Sequence, residues 1–214
     1  MGAPQAKPAS AGFVFPDHGF FPGKNVSLAL PTNMQVDIHD AISSLEMGLL
    51  PAKSLTTPHS ATYLTRGGEL RVDLLTTAGR NDAVYRHNAL NVNLEPLKFM
   101  EFSLEKTTQT VAISGEDALT VNIPSPMRYC LHKLLVMAER QEQFRAKLQK
   151  DAAQVAALAS LGMQRMPRAL QDAAGDIMGR GKGWRTRVRD GLDHLASFHP
   201  EIAIQLAAVL RIEG

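Results

Sequence analysis

The run Glu69–Thr77, ELRVDLLTT, places one carboxylate, Asp73, among apolar neighbours. Val72, Leu74 and Leu75 read as buried, and an ionised carboxylate among them is costly unless it is paired or bound to a metal. Strand-borne carboxylates of this kind can hold Mg2+ against phosphates. The competing reading has Asp73 facing solvent or pairing with Arg71. Further along, Pro124–Gln154 carries Lys133, Arg140, Lys147 and Asp151. At about 100° per residue, Arg140, Lys147, Asp151 and Gln154 share one stripe of a helix. Lys147 and Asp151 have i, i+4 spacing, and Lys133 joins the stripe if two successive helices are nearly continuous. Such a row can grip a triphosphate, since Arg binds phosphate bidentately and Lys acts as a point charge. An ordinary solvated helix face is the competing reading. A strand carboxylate together with a basic helical region suits metal-assisted chemistry on a phosphate.

Other candidates carry blander readings. Asp37, His39 and Asp40 are close enough to suggest a metal site, but Asp37 or Asp40 is better read as a helix N-cap. His132 beside Lys133 could move a proton; a partly buried helix histidine is the simpler reading. Cys130 has no activating cluster and reads as a small core residue. Gly179–Arg189, GRGKGWRTRVR, is basic around the only Trp. Phosphate or RNA contact by charge and stacking is one reading; a glycine-rich joint before a basic amphipathic helix is the default. The chain has no Walker loop, no GxGxxG and no paired-Cys metal motif.

These residues need elements to position them. Met1–Ala11 is small, polar and Pro-rich, and is expected to be disordered. Phe13–Lys24 sets four Phe among Pro and Gly; it is expected to be an irregular arm, its Phe13–Phe21 stretch packed on the body or on a protein partner. Asn25–Leu30 reads as a strand. The spacing of Ile38, Ile42, Leu45 and Leu49 predicts a helix from about Asp37 or Asp40 to Met47, ended near Gly48. Ala61–Leu64 and Leu70–Thr76 read as strands joined by a hairpin-type turn at Arg66-Gly67-Gly68. Pro96–Leu104 could be a helix, although its residues also suit a strand. Thr110–Ser114 and Leu119–Ile123 read as strands. Ser125 then Pro126 is an N-cap followed by proline at the first helical position. Beyond it only helices are expected: Pro126–Ala138, Gln141–Leu161, Met166–Met178, Trp184–Phe198 and Glu201–Leu210.

The fold class is therefore α+β, a mixed sheet followed by a C-terminal helical domain. The boundaries are 1–24 for tail and arm, 25–124 for the α+β part and 125–214 for the helical domain. The 214 residues are 44% hydrophobic and 21% charged, ordinary for a globular protein. One cysteine excludes an internal disulfide, and a reducing cytoplasm is the expected compartment. No run of about 18 apolar residues is present, so no membrane span is expected. The net charge of +2 hides a split: nine basic and twelve acidic residues up to Ser125, fourteen basic and nine acidic from Pro126. An anionic ligand such as a nucleotide or RNA would prefer the second half.

Asn25–Leu50, Leu70–Thr77, Leu97–Glu105 and Ile123–Gln154 resemble a family of bacterial nucleotidyltransferase-fold proteins of uncertain substrate, distant relatives of the abortive-infection nucleotidyltransferase toxins. The resemblance rests on RVDLLT around Asp73, on LKFMEFSLE, and above all on PSPMRYCLHKLLVMAERQ with KLQKDAAQ. It implies a small, partial nucleotidyltransferase-like sheet, then a helical domain, with nucleoside triphosphate and Mg2+ between them. Asp73 matches the last of three catalytic carboxylates and would hold the metal. Lys133 and Asp151 match positions near the nucleotide, and Arg140 and Lys147 fit the same phosphate-facing role. Asp151 would orient a lysine or the acceptor, which could be RNA or protein. The chain departs from the family at its start: neither a Gly-Ser turn nor a strand with two alternate carboxylates is found upstream of Asn25, where Asp17 is the only acid. The expectation is thus a nucleotidyltransferase-like protein with a truncated active site, active if complete and inactive as this chain. The alternative is a non-catalytic interaction protein, antitoxin-like or scaffolding.

Overall fold

The computed structural model describes residues 13–17, 24–29, 37–52, 60–78, 83–113, 118–140 and 144–212. They form two compact units. The first combines Met1–Leu97 with Thr108–Ile123; the second combines Lys98–Thr107 with Pro124–Gly214.

The first unit is built on a mixed sheet. Its strands are β1 (Phe13–Asp17), β2 (Lys24–Ala29), β3 (Leu50–Pro51), β4 (Thr62–Leu64), β5 (Leu70–Thr77), β6 (Tyr85–His87), β7 (Val92–Leu97), β8 (Thr107–Ile113) and β9 (Ala118–Pro124). The main path runs β3-β4-β5-β2-β1-β9-β8, while β7 pairs with β5 and β6. β5 is central: Asp73 pairs with Ser27 of β2 on one side and Thr62 of β4 on the other, and Leu75 with Ala29 and Glu95. β2 and β7 run parallel to β5, and β4 antiparallel. Inward residues Val72 and Leu74 join Ile42, Leu49, Tyr63, Leu90, Val92 and Leu94 in one apolar core.

Two expectations change here. The Phe-rich segment is not wholly irregular, because Phe13–Asp17 is β1, paired antiparallel with β2 over its whole length. Pro16, which has no N–H to give a ladder, lies within this pairing opposite Val26. Residues 18–23, including Phe20 and Phe21, lie outside the described residues, as do Met1–Ala11. Pro96–Leu104 is divided between the end of β7 and a short helix, α2 (Met100–Leu104). Phe99 makes the break, in the left-handed region at φ 61°.

Local signals elsewhere act as their chemistry dictates. Helix α1 covers Ile38–Ser44; Asp37 caps it by accepting from the Asp40 amide at 2.9 Å. It stops earlier than its apolar spacing predicts, before Glu46 and Gly48 at φ 52° and 66°. In the β4–β5 turn the Gly68 amide donates to the Thr65 carbonyl at 2.9 Å, and Gly68 supplies φ 74°.

The second unit holds α2 and five longer helices, α3 (Pro126–Ala138), α4 (Arg145–Arg165), α5 (Pro167–Gly179), α6 (Lys182–Ala196) and α7 (Pro200–Leu210). Proline opens α3, α5 and α7 at the first turn, where its missing N–H costs nothing. Phe102 of α2, with Leu131, Leu134 and Leu135 of α3, packs with Val155, Ile177, Val188 and Leu206 of the later helices in a second apolar core. α3 and α4 pack antiparallel: Cys130 Sγ lies 3.6 Å from the Val155 carbonyl, and a Cβ on Gly162 would meet Met127. α6 crosses α3 so closely that a Cβ on Gly191 would sit 2.3 Å from the Leu134 carbonyl oxygen. No helix among the described residues is long and apolar enough to cross a membrane.

Candidate functional site

Asp73 is held by its own strand and its neighbour. Thr62 on β4 donates its hydroxyl to Asp73 Oδ1 at 2.6 Å. Arg71, two residues earlier on the same face of β5, donates Nε to Oδ1 and Oδ2 at 3.0 and 2.9 Å. The carboxylate is only 16% exposed, and a largely buried carboxylate needs such donors in place of water. The pairing with Arg71 weighed in the sequence is thus the one formed.

In the second unit three of the sequence-chosen residues come together. Asp151, 2% exposed on α4, accepts from Lys133 Nζ of α3 at 3.0 Å and from Arg140 Nε, beyond α3, at 2.6 Å. Lys133 does not reach Asp151 along one continuous stripe. It meets it across the antiparallel α3–α4 pair, because the chain turns back between the helices. Burial alone would pull the Lys133 ammonium towards its neutral form, but Tyr129 and the Asp151 carboxylate outweigh it and hold its pKa above the ordinary lysine value. Among the described residues, two cations therefore share one buried anion. The Lys133 ammonium also lies 5.4 Å from the centre of the Tyr129 ring, a weak further attraction.

His132, next on α3, faces inward and is 3% exposed. Its Nδ1 is 3.1 Å from the Phe99 carbonyl. A carbonyl only accepts, so Nδ1 carries the hydrogen. Desolvation is the main cause that pushes its pKa down to about 4; the Lys133 ammonium adds to it, and the Phe99 carbonyl and Asp151 oppose it. Burial pushes the Cys130 thiol up to about 12, so it is a core residue and no nucleophile at neutral pH.

Lys147 stands apart. It is exposed, and its ammonium lies 5.5 Å from the Phe144 ring centre; the carboxylate expected to pair with it is taken by Lys133 and Arg140. Trp184 is engaged within its own unit, edge-on to Phe99 at 5.1 Å and under the Arg180 guanidinium at 5.0 Å. The sequence reading missed Arg128. It is 2% exposed and donates to the Phe102 carbonyl, Asp176 and Glu105, each at 2.5 Å, with its guanidinium 4.1 Å from the Phe102 ring centre. Arg180 also pairs with Glu105 and Asp176, its guanidinium 5.0 Å from the centre of the same ring. Desolvation pushes the Asp176 carboxyl up, but hydrogen bonds from the two arginines outweigh it and leave its pKa below the usual carboxylate range. The available signal was an Arg between Met127 and Leu131, on the apolar side of α3.

Residues 20–179 match the family model described as a nucleotidyltransferase, about three quarters of the chain. The chain belongs to the nucleotidyltransferase family. No curated protein and no solved structure matches it. The match spans Asp73, Lys133, Arg140, Lys147 and Asp151, and it ends at the last residue of α5. The α+β architecture is consistent with a nucleotidyltransferase-like fold. Magnesium is the ion such a fold implies, and hard oxygen donors are what it needs. At Asp73 this nucleotidyltransferase-family chain offers one carboxylate with both oxygens engaged by Arg71. Among the described residues no three His, Cys, Asp or Glu side chains are grouped to hold a metal. The described residues therefore do not compose a magnesium site by themselves.

Proposed function

We propose that the chain binds a nucleoside triphosphate through its helical unit, with Lys133 and Arg140 reaching phosphate oxygens, Lys147 contributing from the exposed surface of α4, and Asp151 orienting Lys133. The convergence of Lys133 and Arg140 on Asp151, two cations to one carboxylate among the described residues, carries this reading. A buried pair of one cation and one anion is neutral; adding a second cation creates a demand for a further anion, and a phosphate meets it with bidentate geometry for the guanidinium. Asp73 is the residue we would assign to nucleotidyl transfer and to Mg2+ if further carboxylates joined it, since alone it composes no metal site. One carboxylate cannot hold two metal ions and also activate an acceptor, since each role needs its own anionic ligand. Transfer to an RNA or protein acceptor is accordingly not expected from these residues alone. Kinship with the abortive-infection toxins and a cytoplasmic setting belong to the same proposal.

Calorimetric titration with ATP, CTP, GTP and UTP at two salt concentrations tests the binding. We expect weak affinity that falls as salt rises. Unchanged binding in the Lys133→Ala, Arg140→Ala double variant would remove the cluster from the site. Incubation with labelled nucleotide, Mg2+ or Mn2+ and an acceptor tests transfer; label transfer abolished by Asp73→Asn would establish catalysis. The second reading, a non-catalytic interaction protein, is favoured by the Arg71–Asp73 pair, which leaves the carboxylate already neutralised.

A further inference from the structure

Three strands end the sheet with one neighbour each among the described residues, and they are not alike. β3 is two residues long and contains Pro51; β6 is three residues long and contains Arg86. Shortness, proline and charge are the ordinary ways of blunting an edge against unwanted pairing. β8 has none of them. It spans seven residues, Thr107-Thr108-Gln109-Thr110-Val111-Ala112-Ile113, with no charge, no proline and no glycine. Such a composition favours pairing with a further strand. Every residue of β8 except Thr110 is exposed, so both faces are open; Val111 is 54% and Ile113 80% exposed.

We propose that β8 is a self-pairing edge, through which two copies of this chain join antiparallel about a two-fold axis at Thr110. A second copy suits the edge for three reasons. Antiparallel pairing of a strand with itself is isologous and closes at two copies, so it produces no filament. A neutral strand sets no like charges opposite each other when it meets itself. In the register centred on Thr110 all seven residues pair: Thr107 faces Ile113 of the second copy, Thr108 faces Ala112, and Gln109 faces Val111. Residues 107, 109, 111 and 113 lie on one face by strand alternation. The two large exposed aliphatic side chains of each strand, Val111 and Ile113, thereby gain cross-strand neighbours on the same side of the extended sheet.

Sedimentation of the full chain over a range of concentrations is the test. The wild type should show a concentration-dependent dimer. Gln109→Lys with Val111→Lys puts like charges opposite each other twice in this register, and should weaken dimerisation about tenfold or more. Gln109→Glu with Val111→Lys puts opposite charges there, and should restore it. Circular dichroism of each double variant establishes that the sheet is retained. A wild type that stays monomeric throughout overturns the proposal. So does a dimer that ignores both double variants, or one that both weaken equally, because the register would then be wrong.

Discussion

Arg71 and Asp73 hold each other on one face of β5, a single Nε reaching both carboxylate oxygens at 3.0 and 2.9 Å. Arg71 is 46% exposed, and water screens such a pair, so Arg71→Ala should change stability by less than about 1 kcal/mol. Asp73→Ala removes the acceptor of the Thr62 hydroxyl as well, which ties β4 to β5. It should cost about 1–3 kcal/mol. Urea unfolding of the two variants measures the difference; equal losses would mean that the Thr62 bond adds nothing.

Removing the buried anion should be worse than removing either of its partners. Asp151→Ala leaves Lys133 and Arg140 without the carboxylate they share, and a loss of about 3–5 kcal/mol is expected. Lys133→Ala leaves a neutral Arg140–Asp151 pair and should cost less. Thermal unfolding of both variants at low and high salt checks the order. Added triphosphate should raise the melting temperature of the wild type more than that of Lys133→Ala.

His132 should make the protein acid-sensitive. Its folded pKa, about 4, lies below the ordinary 6.5, so the unfolded chain takes up a proton first as pH falls. The stabilisation is fully present above pH 6.5 and is lost progressively towards pH 4, up to about 3 kcal/mol in all. Unfolding free energies of wild type and His132→Gln across this range should converge as the pH drops. Parallel curves would show that the ring is already charged in the folded protein.

Two glycines in the helical unit should respond oppositely to alanine. At Gly191 a Cβ would lie 2.3 Å from a backbone oxygen of α3, which cannot swing aside; a loss of about 3 kcal/mol is expected. At Gly175 on α5 a Cβ meets nothing within 4 Å. There the better helix propensity of alanine should stabilise by about 0.5–1 kcal/mol. Comparing melting temperatures of the two variants tests the α3–α6 packing directly.

What was legible in the sequence follows from the range of the forces involved. Pro126–Ala138 was readable to the residue, since Ser125, Pro126 and the apolar period are local signals, although the Ser125 side chain makes no capping hydrogen bond. The strands of the two hairpins were readable within a few residues for the same reason. β3 and β6 were not, because two or three residues carry no period and exist through their partners. Nor could local spacing show that Lys133 would find Asp151 across a helix pair while Lys147, at the ideal i+4 distance, would not. A carboxylate takes the donors that burial brings to it, and burial is decided by tertiary packing.

The path of the backbone has a further consequence. Lys98–Thr107 belongs to the helical unit, β8 and β9 return to the sheet, and the chain then enters the helices for good. A chain growing from the ribosome therefore holds α2 early, with no α3 to receive it, and cannot supply the last two strands of the sheet until residue 123 has emerged. Arg128, synthesised next, clamps the waiting Phe102 carbonyl and Glu105. Neither unit is a contiguous stretch of sequence, so neither can be excised intact by cuts at its two outer ends.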